Sequence, residues 1–276
     1  MSLVVTFWGV RGSIPTPAIA NLSVGGNTAC VEVRSDSQVL IIDAGTGIQG
    51  CGRRLLLEGD HSPRTISILF SHFHWDHLQG LPFFEPLYRP DSHLQFLNSA
   101  SGEMIRERLR QLMRPPYFPV GWEETASKKE YLAVPSRGLA LGELQVDPVP
   151  LNHPQGATGY RIASPTGGFI LYASDFEHGN PSSDHLLIES ARNAKLLVYD
   201  AQYTPEEYEG AGRRGWGHST WREAARIAKE ANVQRLVLFH HDPGHTDTIM
   251  ADIQNKTREL FANTDVAVEG SSIIIE

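Results

Sequence analysis

Six consecutive residues, His72-Phe73-His74-Trp75-Asp76-His77, hold three imidazoles and a carboxylate. In an extended segment His72 and His74 project to one side and can share a metal, while Asp76 and His77 turn toward a second. Imidazole with carboxylate suits zinc, with manganese or iron as alternatives. The lack of a thiolate set argues against a closed structural zinc site, and a site without a closed cage has room for water. The chain's 12 histidines gather at 72 to 77, at 153, at 218 and at 240 to 245. Taken singly, His61, His93 and His178 read as surface residues.

Short runs rich in Val, Ile, Leu and Phe, bounded by Gly, Pro, Asn or Asp, predict strands at 3–8, 29–34, 38–43, 65–70, 144–151, 159–163, 168–172, 195–199 and 234–239. Helical patterns cover 102–113, 220–231 and 247–261. The second opens on the capping-box spelling Thr220-Trp221-Arg222-Glu223 and puts Ala224, Ala225, Ile227 and Ala228 where they can pack inward. No linker separates these elements, so residues 1–276 read as one α/β domain of two packed sheets with helices outside. His72, His153, Asp175 and His240 each follow a predicted strand closely. Side chains at several strand ends can converge on one rim of such a sandwich.

With 276 residues and 41% of them hydrophobic, the chain has ample material for a core. Its 24 Lys+Arg against 32 Asp+Glu give a net charge of −8, which disfavours binding along a phosphate backbone, although a local metal centre can still hold one phosphodiester. Cys30 and Cys51 are too few for a disulfide framework, and no signal peptide or apolar run of about 18 residues appears. The expectation is a soluble cytoplasmic protein.

The motif at 72–77 resembles His-x-His-x-Asp-His of the metallo-β-lactamase superfamily. The resemblance spans nearly the whole chain: Asp43 in Ile42-Asp43-Ala44-Gly45-Thr46-Gly47, His153, Asp175 and His240 match further elements in order. It implies an αββα sandwich, the metallo-β-lactamase fold, with two mixed sheets packed face to face and a dinuclear site on one edge. By the same resemblance His72, His74 and His153 bind one divalent metal, Asp76, His77 and His240 bind another, and Asp175 bridges them. His240 is favoured over His241 because it directly follows Leu236-Val237-Leu238-Phe239, and Asp43 is expected to orient a ligand. Two such metals can share a hydroxide and clamp the oxygens of the centre under attack.

Gly215-Trp216-Gly217-His218-Ser219-Thr220 is similar to an element of the superfamily's phosphodiesterase branch, which includes tRNase Z and the phosphonate-pathway cyclic ribose phosphodiesterase. There this histidine works with the aspartate of the central motif. His218, oriented by an acid such as Asp76, could protonate a leaving alkoxide, and Asp200 could polarise it, although tRNase Z-like sequences tend to have Glu at that place. Only 22 positions separate His153 from Asp175, too few for the tRNA-gripping arm typical of tRNase Z. A small or cyclic phosphodiester, a cyclic nucleotide or cyclic ribose phosphate, is therefore the expected substrate, with no stable nucleic-acid complex and no membrane partner. Alternatives are a carbon-centred hydrolase (lactonase or β-lactamase-like), an RNA-processing endoribonuclease, and a non-catalytic binding scaffold.

The segment 79–130 combines aromatics, prolines and arginine at 81–90 and 114–119, and reads as a lid or as a neighbouring subunit's wall. Arg106, Arg110 and Arg114 with Glu103 and Glu107 read as a solvated, salt-bridged helix face. A homodimer is implied by the resemblance alone.

Overall fold

The computed structural model describes residues 2–58, 65–165 and 168–276, so His61, expected at the surface, lies outside the described residues. The strands formed among them are β1 (Leu3–Gly9), β2 (Cys30–Arg34), β3 (Val39–Ile42), β4 (Thr65–Leu69), β5 (His93–Asn98), β6 (Lys128–Ala133), β7 (Leu139–Leu141), β8 (Leu144–Leu151), β9 (Ala157–Ala163), β10 (Phe169–Ala173), β11 (Leu196–Asp200), β12 (Leu236–Phe239), β13 (Thr264–Val266) and β14 (Ser272–Ile275). They build two seven-stranded sheets, in the orders β14-β1-β2-β3-β4-β5-β6 and β13-β12-β11-β10-β9-β8-β7. Both are mixed. In the first, pairing is antiparallel from β14 to β3 and parallel from β3 to β6. In the second it is antiparallel from β7 to β10 and parallel from β10 to β13.

Among the described residues six α-helices cover the sheets: α1 (Ile48–Leu57), α2 (Gly102–Leu112), α3 (Pro181–Ala191), α4 (Pro205–Gly210), α5 (Trp221–Glu230) and α6 (Asp247–Leu260). The two-residue alternation of a strand explains the layering. Leu40 and Ile42 of β3 face the apolar cluster between the sheets, which also takes in β11 and β12. Val39 and Ile41 face the opposite way, into a cluster with Ile48, Cys51 and Leu55, the inner stripe of α1. A strand buried on both faces reads as an unbroken apolar run. The result is the αββα sandwich, the metallo-β-lactamase fold.

Beyond the expected elements, β5, β6, β7, β13, β14, α1, α3 and α4 also form, and two local details differ from the expectation. Thr220 caps α5 by accepting from Glu223 N at 3.3 Å, but the Glu223 carboxylate turns to Arg226 (2.7 Å), so half of the capping box forms. Along α2, Arg106 and Arg110 share Glu123 (2.9 and 3.6 Å), a residue beyond the helix, and only Arg110 also meets Glu107. The segment 79–130 supplies β5 and α2 and leads into β6, with Phe84, Leu87 and Trp122 buried in the outer cluster, while Phe83 and Tyr117 face solvent.

Parallel strands share one carboxyl end, and the loops leaving β3, β4, β10, β11 and β12 meet there. They carry Asp43, His72 to His77, Asp175, Asp200 and His240.

Candidate metal centre

Three imidazole nitrogens gather on one side of the site: His72, His74 and His153 each offer an atom within 4.8 Å of the others. His153 Nε2 lies 3.2 Å from His74 Nδ1. Asp76, His77 and His240 form a second group, with His240 Nε2 at 3.2 Å from Asp76 Oδ2 and 3.3 Å from His77 Nε2. The Asp175 carboxylate stands between the groups. Its Oδ1 is 3.8 Å from His72 Nε2 and 3.9 Å from His153 Nε2, and its Oδ2 is 3.2 Å from His77 Nε2.

The opposite nitrogen of each ring is occupied, which orients the ring and turns its other nitrogen into the site. His77 Nδ1 donates to Asp43 Oδ2 (2.9 Å), His153 Nδ1 to Gly217 O (2.8 Å), His240 Nδ1 to Gln202 Oε1 (3.0 Å) and His74 Nε2 to Gln155 Oε1 (2.8 Å). His72 Nδ1 donates to Ser71 Oγ (3.0 Å), whose hydroxyl donates to Asp43 Oδ2 (2.8 Å). Asp43 thus orients a ring and, among the described residues, belongs to none of the groups able to hold a metal.

The residues fit a divalent cation. His72 Nε2 is buried and has no hydrogen-bond partner, a cost a metal bond would remove. Asp43, Asp76, Asp175 and Asp200 are all buried, and among the described residues their ion-pair partners are histidines alone. Such a concentration of negative charge calls for a counter-ion. Burial holds His72 and His153 below the ordinary histidine range, which favours the neutral form that binds metal. For His77 burial acts the same way, but the charges of Asp175, Asp76 and Asp43 overcome it and hold the group well above that range. The clusters have the capacity for one or two divalent ions.

His218 stands at the edge of this centre, its ring stacked on that of His240 with centroids 4.9 Å apart. Its Nδ1 is 2.7 Å from Asp200 Oδ2. The acid at His218 is therefore Asp200; Asp76 Oδ2 instead accepts from Ser13 N (2.7 Å) and faces His77 and His240. His241 points away from the centre, Nε2 donating to Ala267 O at 3.0 Å, and burial presses it down to about 3. His93 is half-buried beside Glu130 (3.4 Å), and His178 is half-buried with Nδ1 2.9 Å from Ser219 Oγ.

Asp43, Asp175 and His240 all have positive φ (62°, 63° and 60°), a sparsely populated region for residues with a Cβ. Each sits where a strand gives way to the site loops, and the turn swings the side chain across the rim. Gly12 packs where a Cβ would overlap the His240 ring. Ser13, Gln155, Gln202 and Glu177 were not singled out from the sequence. Glu177 accepts from Gly215 N (2.6 Å), Gly217 N (2.8 Å) and Tyr208 Oη (2.9 Å), and so anchors the loop that carries His218. Ordinary polar residues remote in sequence carry no signal of such roles; the glycines around Arg11 and Arg213 were the available hint.

A cleft of about 430 Å³ borders the His72 and His74 side, lined also by Phe73, Met104, Arg108 and Gln155. No helix among the described residues is long and apolar enough to cross a membrane.

Sandwich and clusters together define a metal-dependent hydrolase. The Beta-lactamase superfamily domain matches residues 38–241. Ribonuclease Z of Thermoplasma acidophilum is 24% identical over 305 residues, covering 95% of this chain and 94% of that one. Two solved structures share the fold: the metallo-β-lactamase fold protein YhfI from Bacillus subtilis (TM-score 0.72, 19% identity, 99% of both chains) and a diphosphatase from the PhnP family (TM-score 0.71, 21% identity, 99% and 98%). The chain belongs to the metallo-β-lactamase superfamily and is related to its tRNase Z and PhnP-like branch.

Proposed function

We propose that the chain is a dinuclear phosphodiesterase that hydrolyses a small or cyclic phosphodiester, such as a cyclic nucleotide or a cyclic ribose phosphate. His72, His74 and His153 would hold one ion, Asp76, His77 and His240 the other, and Asp175 would touch both. Zinc fits the donor set, with manganese or iron as alternatives. When bound, such ions lower the pKa of water and stabilise charge on the phosphoryl oxygens.

The observation that carries the reading is the His218–Asp200 pair beside these clusters. Hydrolysis of a diester forms one bond from a water oxygen to phosphorus and breaks one from phosphorus to the leaving oxygen. An alkoxide leaves only with a proton. Asp200 engages Nδ1 of His218, so Nε2 is the atom from which a proton can pass to the leaving oxygen. Asp200 acts on the substrate only through His218 and is a positioning residue, as are Asp43 and Gln202. An amide or lactone hydrolase has the same metal ligands but less need of this pair.

The test is a panel of 2′,3′- and 3′,5′-cyclic nucleotides, linear dinucleotides and aryl phosphodiesters, run beside lactones and β-lactams with zinc- or manganese-loaded protein. Turnover of the diesters supports the reading. Efficient opening of lactones or β-lactams with no diester cleaved overturns it.

An RNA-processing endoribonuclease is the second reading, favoured by the ribonuclease Z relative. Cleavage of precursor tRNA in preference to every small diester would establish it; the net charge of −8 argues for the smaller substrate. The buried free thiols of Cys30 and Cys51 support a cytoplasmic setting, and a homodimer remains the expected assembly, measurable by sedimentation.

A further inference from the structure

Between α4 and α5 the chain runs Gly212-Arg213-Arg214-Gly215-Trp216-Gly217-His218. The Arg213 guanidinium lies 5.0 Å from the Tyr203 ring centroid and 4.9 Å from that of Trp216, and makes no ion pair among the described residues. Most arginines of this acidic chain pair with carboxylates, as Arg222 and Arg226 on the next helix do. Apart from its hydrogen bond with the Tyr203 hydroxyl, a guanidinium held over these rings keeps N–H groups with which to receive phosphate in bidentate fashion. Trp216 is 56% exposed and can offer a ring face to solvent.

This pair is held in register with the chemistry. Glu177 fixes the amides of Gly215 and Gly217 on either side of Trp216. The Tyr203 ring, over which Arg213 lies, is T-shaped to the His218 ring with centroids 5.9 Å apart. The cleft beside His72 and His74 has none of His218, Arg213 and Trp216 in its lining. A diester therefore has a direction in this site: the group that leaves must lie toward His218, and hence toward Arg213 and Trp216.

We infer that Arg213 and Trp216 form a subsite for the leaving group, which is itself a nucleotide: its base stacks on Trp216 and its additional phosphate is held by Arg213. The inference rests on the phosphodiesterase reading and concerns its linear substrates, with a phosphorylated leaving nucleoside, because in a cyclic diester the leaving oxygen stays on the same nucleoside. The pair determines specificity and takes no part in bond making.

Two measurements on metal-loaded protein test this. The first compares kcat/KM for the dinucleotides pApA and ApAp with that for ApA. Wild type should prefer one phosphorylated form, and Arg213→Met should bring that ratio close to one, mainly through KM. The second titrates adenosine 3′,5′-bisphosphate by calorimetry into metal-loaded and metal-free protein. Because stacking one base is worth on the order of tenfold in affinity, Trp216→Leu should weaken binding by about tenfold, and Arg213→Met by at least as much. Thermal melts matching wild type establish that both variants fold. Should ApA and bis(p-nitrophenyl) phosphate be cleaved while neither substitution alters the ratio or the binding, the subsite is wrong and the phosphodiesterase reading survives. Should no diester be cleaved while bisphosphate binding depends on both residues, the nucleotide subsite stands and the activity reading fails.

Discussion

Asp200 Oδ2 lies 2.7 Å from His218 Nδ1 and also accepts the backbone N–H of Asp175 at 3.0 Å. Its other oxygen accepts from Gln202 N (3.1 Å) and Ser219 N (3.2 Å). One buried carboxylate thus ties His218 to the carboxylate standing between the two groups of histidines. Four hydrogen bonds converge on this single side chain.

His218→Ala should retain metal and lose turnover selectively. General acid catalysis is worth roughly 10²–10⁴-fold where the leaving oxygen needs a proton, and much less for a phenolate. The loss should grow with leaving-group pKa in a series of diesters, with metal content by elemental analysis unchanged. An equal loss on alkyl and aryl substrates would assign His218 a structural role.

Asp175→Ala should lower metal retention, because the carboxylate that approaches both groups of nitrogens is removed. Elemental analysis after dialysis measures this. Unchanged content would show that Asp175 bridges nothing.

Proton release should accompany metal uptake. Burial disfavours charge on His240, but Asp175 and the hydrogen bond with Asp76 outweigh it and push the group from 6.5 up to about 9. A metal must displace that proton, so apparent affinity should climb as pH rises toward about 9. In the metal-free protein the sign reverses. A raised folded-state value stabilises fully below 6.5, and this contribution is lost as pH rises through about 9. Melting metal-stripped protein across that window, and calorimetry in buffers of differing ionisation enthalpy, check both halves. Uptake without proton release would contradict them.

Elements with strong apolar content or helical periodicity were legible in the sequence to within two residues: 3–8 became Leu3–Gly9, 195–199 became Leu196–Asp200, and 247–261 became Asp247–Leu260. β6 was not, because Lys128–Ala133 is an edge strand with little burial and so little alternation. α1 has Gly50 and Gly52 inside it and no side-chain cap, so its helical signal is weak. Two omissions did carry a signal: Asn180 before Pro181 at α3, and Thr204, Pro205 and Glu207 at α4, are helix starts. At the site, the candidate ligands stood out as rare residue types beside strand ends. Their supports did not, since Gln202 and Ser13 acquire meaning only when loops about 190 residues apart are brought together. For the same reason the acid at His218 was not decidable between Asp76 and Asp200 by spacing.

Two glycines in one loop should separate backbone strain from contact at the metal centre. Gly212 has φ +66° with nothing within 4 Å of where a Cβ would stand, whereas Gly217 has φ +90° and a Cβ there would overlap His153 Nδ1 and Pro154 Cδ. Gly212→Ala therefore carries the left-handed penalty alone, about 1–2 kcal/mol, which lowers Tm by a few degrees. Gly217→Ala carries the same penalty and must also displace His153 or the loop, since the Gly217 carbonyl is the acceptor for His153 Nδ1. It should lose metal as well as stability. Thermal melts paired with elemental analysis read both quantities. Equal metal content in the two variants would mean that His153 does not depend on Gly217 for its position.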